Sequence, residues 1–450
     1  MRRLACFGVL ASLGVAAACG GTSSDADESS GTSPEEENTG PAPDTADTVP
    51  EAGSGMTEVP VAVRAAPTEA PEIAGQAISE FGFDLFEQIR SDDDGSNVIV
   101  SPASVSIALA MVEPGTNDLA QEQMRTLLGI DDPETFHASM NALEVDLESR
   151  TPAGFGGEGD PGEITIDIAN AAFLQMGYPF EDDYLDTIGT NYGPVLREVD
   201  FEPDPDAVGR QINDFVADAT NDQITDLIAD GTIEPETVLA LVNALYLNAS
   251  WLQTFDQDAT TDAPFTLLDG SRVDVPLMNG TGTSSAAGDG WVGATKAYVG
   301  GLSAQFILPD EGRFDEIASD LGSVVAEYDA NRTDGAEFSM PRFETRTSAP
   351  LGPALQSLGL TAPFQPGGLL GIAGDPLLLI DQVVHEAFVA IDEDGTEAAA
   401  ATVVLMLPAS GPVSPPVPVV LDRPFLFRIV DDTTGATLFI GQITDPSGSA

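Results

Sequence analysis

The chain has 450 residues, 42% of them hydrophobic, enough for one large domain or two ordinary ones with a sizeable core. Its charge is lopsided: 16 Lys and Arg stand against 74 Asp and Glu, a formal net of −58, and the single lysine is Lys296. Such a surface repels nucleic acid and anionic membranes and offers no basic patch to heparin-like polyanions; its acidity resembles that of proteins from salty surroundings, where screening relieves self-repulsion.

The N-terminus reads MRRLACFGVLASLGVAAACGG. Arg2 and Arg3, the apolar run from Leu4 to Ala18 and the small residues Ala16, Ala17 and Ala18 predict a secretory leader over residues 1–19. The run is too short to span a bilayer as a helix. Cys19 follows the small residues as in a bacterial lipoprotein cleavage site, which predicts a lipid anchor outside the cytoplasm. The plain alternative is secretion with Cys19 as a spare thiol. Cys6 leaves with the leader, so no disulfide framework is possible. Residues 20–70 are rich in Ser, Thr, Gly, Pro and acids, with no base before Arg64. They predict an extended, self-repelling tether.

Apolar periodicity begins at EIAGQAISEFGFDLFEQIR, where Ile73, Ala77, Phe81, Leu85 and Ile89 predict a helix. SDDDGSN then reads as a solvated turn, without the ligand spacing of a calcium loop. VIVSPASVSIALAMV predicts a short strand and an apolar helix, and DLAQEQMRTLLGI an amphipathic one. The acidic, glycine-rich FGGEGDPGE has no lysine to cradle a phosphate. ITIDIANAAFLQ alternates as a strand, whereas VLALVNALYLNASW is a nearly continuous apolar run, as in a strand buried on both faces. Strands and hairpins follow, ending in RPFLFRIVDDTTGATLFIGQIT. Helices crowd the first half and strands the second, which predicts an α+β fold in one unit.

Little here points to catalysis. There are two histidines. His137, in a polar helical segment, reads as a surface residue; His385, in an apolar strand, reads as a buried, hydrogen-bonded one. Metal sites built from His and Cys are excluded by number. Carboxylates are too abundant for any pair to be diagnostic. The residues predict neither an enzyme nor a cofactor.

The stretch HEAFVAIDEDGTEAAAATVVLMLPASGPVSPP, residues 385–416, joins a strand, an alanine run and a proline-rich segment. EDGTEAAAAT resembles the reactive-loop hinge of the serpins, the serine protease inhibitors. NVIVSPASVSIALAM, VLALVNALYLNASW, MPRFETRTSAPLGPALQSLGL and the C-terminal DRPFLFRIVDDTTGATLFIGQITDP resemble other blocks of that family, in order, over residues 71–446. Residues 447–450 are left as a tail. The resemblance implies an α+β fold of three sheets and about nine helices, with an exposed reactive loop at about 393–416. It implies a monomer that inhibits a serine protease, with cysteine proteases as a second class, by inserting the cleaved loop into its main sheet. The hinge would be Glu393, Gly395, Thr396, Glu397, Ala398, Ala399, Ala400, Ala401 and Thr402. Small residues there can slip between packed strands, and Thr396, Ala398, Ala400 and Thr402 would share the inward face. Ser101, Ser104, Asn243 and His385 would form the shutter beneath the sheet, and Trp251 would mark the breach where insertion starts. Family spacing implies a reactive bond at Ala409–Ser410, with Met406, Leu407 and Val413 as alternatives. No Arg or Lys lies from Thr396 to Leu421, which disfavours a trypsin-like target and suits an elastase-like or subtilisin-like one. The alternative is a non-inhibitory member acting as a cell-surface binding module.

Overall fold

The computed structural model describes residues 2–10, 57–58, 63–91, 95–150, 162–220, 222–396 and 417–448. Cys19, Glu397 to Thr402 of the hinge, and Ala409 and Ser410 with the alternatives Met406, Leu407 and Val413 lie outside the described residues.

In the first half of the chain the elements are β1 (Arg2–Leu10), β2 (Thr57–Glu58), α1 (Glu72–Ser91), β3 (Val98–Val100), α2 (Pro102–Val112), α3 (Asp118–Leu127), α4 (Pro133–Glu148), β4 (Ile164–Gln175), α5 (Asp182–Tyr192), β5 (Val195–Val199) and α6 (Pro205–Ala219). The second half holds β6 (Thr237–Ser250), β7 (Thr261–Thr266), β8 (Arg272–Gly288), β9 (Trp291–Ala297), β10 (Leu302–Pro309), α7 (Phe314–Ala318), α8 (Leu321–Asn331), β11 (Thr333–Pro341) and β12 (Phe343–Pro350). After these come α9 (Gly352–Ser357), α10 (Leu370–Ala373), β13 (Leu378–Ile391), β14 (Gly395–Thr396), β15 (Val417–Val420), β16 (Phe425–Asp431) and β17 (Thr437–Ile443).

The main sheet runs β12–β13–β6–β4–β5–β2 with β1 and β14 end to end between β13 and β6, each paired to both. The other strands form one hydrogen-bonded array that bends along the seventeen-residue β8. Arg272 to Leu277 of β8 pair with β7 and Leu277 to Ser285 with β11, and β11 carries β15. The end of β8 pairs with β9, and the array continues through β10, β16 and β17 to β3. The array thus makes two sheets, and the molecule three.

The large core lies between the sheets, and a smaller one holds α6 against the outer face of β4 and β6 through Phe173, Val242, Ile212 and Val216. Helix α2 is buried at every residue, as a helix apolar all round must be. Ser101 caps it, its Oγ accepting from Ser104 N, and Pro102 stands at the first turn, where its missing N–H costs nothing. Helix α1 is where expected, but its buried stripe is Ala74, Ile78, Phe81, Leu85 and Phe86. Ile73 is 44% exposed, because the stripe begins one residue later than the i, i+4 series suggests.

Two segments change the picture of the N-terminus. Order reaches back before residue 71. Arg64 bonds the Asn141 side chain at 2.7 Å and Glu144 at 3.1 Å, and Ala65 N–H donates to Thr190 O. The segment Arg2–Leu10, expected from sequence to belong to a leader, is β1, a strand parallel to both β13 and β6 and lying between them.

Candidate functional site

Between β6 and β13 stand two short guests. At the upper end is β14, antiparallel to both, with Thr396 opposite Ile391 and Ala249, and Gly395 opposite Ser250. Gly395 is there for closeness: a Cβ on it would lie 2.2 Å from Ala249 O, and its φ is not in the left-handed region. Thr396 is buried and faces inward, its hydroxyl 2.6 Å from that of Tyr298. Burial pushes the Tyr298 hydroxyl well above its ordinary pKa, so the pair stays neutral.

Trp251 organises this end. Its ring stacks on Tyr298 at 4.0 Å, its Nε1 donates to Asp392 O at 3.0 Å, and its backbone N–H donates to Asp394 O at 2.8 Å. The turn before the hinge is closed by Asp392 Oδ1, which accepts from Asp394 N and Gly395 N. Glu393 is buried but paired: Arg342 Nη2 reaches its two oxygens at 2.8 and 2.7 Å and Thr260 Oγ1 donates at 2.6 Å. Burial works to raise this carboxyl, but the bonds from Arg342 and Thr260 outweigh it and hold it below its ordinary value. Beneath the turn, Lys296 points Nζ at the Phe255 ring, 4.0 Å from its centroid, and donates to Thr281 O at 3.2 Å. Burial pushes its ammonium down to about 7.

Lower in the gap, Asn243 and His385 face each other across Gly8, which stands opposite both. His385 is 1% exposed, and its Nε2 accepts from Ser101 N at 3.1 Å. Asn243 Nδ2 donates to Asn170 Oδ1, and Asn170 Nδ2 donates to Glu144 Oε2, both at 2.8 Å. Glu144 in turn pairs with Arg64. Burial pushes its carboxyl up to about 8 against the pull of Arg64. A polar relay therefore runs from the segment ahead of α1 to the floor of the gap. Asn243 Oδ1 and Ser104 Oγ are buried and unpaired among the described residues.

The residues expected to cooperate do gather. Trp251, Glu393, Gly395 and Thr396 meet at one end of the gap, and Ser101, Ser104, Asn243 and His385 lie at its middle. Sequence reasoning missed Arg342, Tyr298, Asn170 and Glu144. Asn170, a polar break in an apolar strand, and Lys296, the one lysine, were the visible signals. His137 is a correction. It is 4% exposed, with Nδ1 2.5 Å from Tyr192 OH and Nε2 3.0 Å from Glu113. Its polar neighbours in sequence are turned inward to satisfy one another rather than solvent.

The family model described as Serpin (serine protease inhibitor) matches residues 76–446. A serpin-like protein of Thermococcus kodakarensis, itself uncharacterized, is 30% identical over 82% of this chain and 85% of its own. Rat alpha-1-antiproteinase is 29% identical, over 82% of this chain and 88% of its own. Among solved structures, Arabidopsis AtSerpin1 in its native stressed conformation superposes with a TM-score of 0.71, 25% identity and 85% of this chain covered against all of its own. The thermophilic serpin tengpin in its native state gives 0.70, also at 25%, covering 85% of this chain and 97% of its own. A match that runs from within α1 to beyond β17 takes in both strands flanking the gap and β14 at its mouth, and by it the chain belongs to the serpin family, whose members are mostly protease inhibitors rather than catalysts.

Proposed function

We propose that this chain traps a serine protease of elastase-like or subtilisin-like preference as a covalent acyl-enzyme, by inserting its cleaved loop between β6 and β13. The observation that carries the reading is β14, two residues already paired on both sides at the mouth of the gap. Continued in register, each further loop residue steps one position down both neighbours. Thr402 then comes opposite Asn243 and His385, and Ala409 comes opposite Leu378, the first residue of β13. β6 and β13 are both fourteen residues long, and Thr396 to Ala409 spans all of β13 and β6 from Ala249 to its start. A break at Ala409–Ser410 therefore frees the length of chain the gap can hold, in preference to Met406 or Leu407, which leave it short, and Val413, which overfills it.

The energetics agree on where the driving force must lie. Each new ladder bond contributes about 0.5–1.5 kcal/mol, while ordering costs about 1–2 kcal/mol per residue. Hydrogen bonding alone does not carry insertion; relief of strain in the native sheet and burial of Ala398, Ala400 and Thr402 on the inner face must add to it.

The test is incubation with pancreatic elastase and with subtilisin. The expected outcome is an SDS-resistant band at the summed mass, together with release of a C-terminal peptide beginning at Ser410. A loop cut cleanly with full protease activity retained would overturn the trapping reading.

A further inference from the structure

β1 takes the same edges of β6 and β13 that the inserting loop would need. Arg2 to Val9 pair along β13 from Leu378 to Glu386, and Arg3 to Leu10 along β6 from Thr237 to Leu245. Both pairings are parallel, whereas β14 is antiparallel to both neighbours. The two guests cannot share a position. Between Leu10, opposite Leu245, and Thr396, opposite Ala249, only Tyr246, Leu247 and Asn248 of β6 remain unmatched. In-register insertion with β1 in place would take in Glu397, Ala398 and Ala399 and stop at Ala400.

We propose that the N-terminal segment Arg2–Leu10 is a guest strand for this chain's own insertion gap, holding it closed to the reactive loop for as long as the leader remains attached. The segment suits the place. Beyond Arg2 and Arg3 it is uncharged, so a sheet interior can accept it. Gly8 is the residue that arrives between Asn243 and His385, and it brings no side chain beside that polar pair. A strand paired on both sides satisfies its own backbone and both facing edges, which would otherwise be exposed along a buried gap. Loss of the leader would then be the event that opens the gap. The inference rests on the trapping reading for its consequence, but not for the occupancy itself.

The experiment uses the full chain with the leader retained, beside the Cys6→Pro/Phe7→Pro double variant. Successive N–H groups of a strand point to opposite neighbours, so this pair removes one donor to each side. Amide exchange along the facing edges of β6 and β13 is measured, along with binding of a labelled peptide of residues 396–409. The expected result is protected edges and no peptide uptake in the parent. The variant, with unchanged far-UV circular dichroism, should exchange at least tenfold faster there and take up the peptide, and the free peptide of residues 2–10 should compete it off. Equal exchange and equal uptake in the two chains would overturn the proposal, as would a concentration-dependent dimer in the parent, which would mean a second copy donates the strand. If the variant opens and binds peptide yet fails to trap protease, the guest strand stands and the trapping reading falls.

Discussion

Lys296 is the residue most at odds with its surroundings. In a chain so acidic, its one lysine is 2% exposed and faces aromatic rings rather than carboxylates. Folding lowers its pKa from 10.5 to about 7, so between those values the unfolded chain holds a proton that the folded chain has shed. Stability from this group therefore rises with pH across that window and is lowest below pH 7, where the ammonium must stay charged in the core. The Phe255 and Trp251 rings and the Thr281 carbonyl offset part of that cost. Lys296→Met should thus raise stability by roughly 2–3 kcal/mol at pH 6, seen as a higher melting midpoint. The gain should shrink steadily toward pH 10. A gain independent of pH would mean that packing, not charge, sets the effect.

At the scale of elements, β14 has only two residues, yet everything proposed for the loop begins from them. Thr396→Arg would require a guanidinium where the Thr396 hydroxyl now meets Tyr298 in the core. The expected outcome is a loop that is cut and released, with complex yield down at least tenfold; unchanged stoichiometry would show that this position never enters the sheet. Much of this region was legible beforehand. The nearly continuous apolar run of β6 announced a central strand, and the small residues after Gly395 announced a segment built to slip between strands. The pairing of Glu393 with Arg342 was not legible, because the two are joined only by the approach of β12 to β13, and nothing local marks a salt bridge made across a sheet. The inward turn of His137 escaped for the same reason: its partners Glu113 and Tyr192 come from other elements. The polar relay from Arg64 through Glu144 and Asn170 to Asn243 depends on four separate segments meeting.

For the whole molecule, the proposed insertion implies that the intact loop, held at both ends, would make the folded state a kinetic trap. Nicking should raise, not lower, thermal resistance, because the freed strand completes the main sheet. With the leader removed, a chain nicked near Ala409 should melt tens of degrees above the intact one, since each kcal/mol moves a large domain by about 2–4 °C. Paired melts in the same high salt, which screens the net charge of −58 equally in both forms, measure this. A nicked chain that melts no higher than the intact one would leave the non-inhibitory reading in its place.

The fourteen-residue length shared by β6 and β13 also works as a ruler. At about 3.3 Å per residue the gap is roughly 45 Å long, about twice the radius of gyration of a domain this size. An acylated protease would be hauled from one pole of the molecule to the other. Its bond is then under tension only over the last residues of travel, when Ala409 nears Leu378 and no slack remains. The far end of the track, rather than its mouth, would decide whether the passenger is crushed or escapes: one residue too many in the loop gives it slack, and one too few draws it tighter.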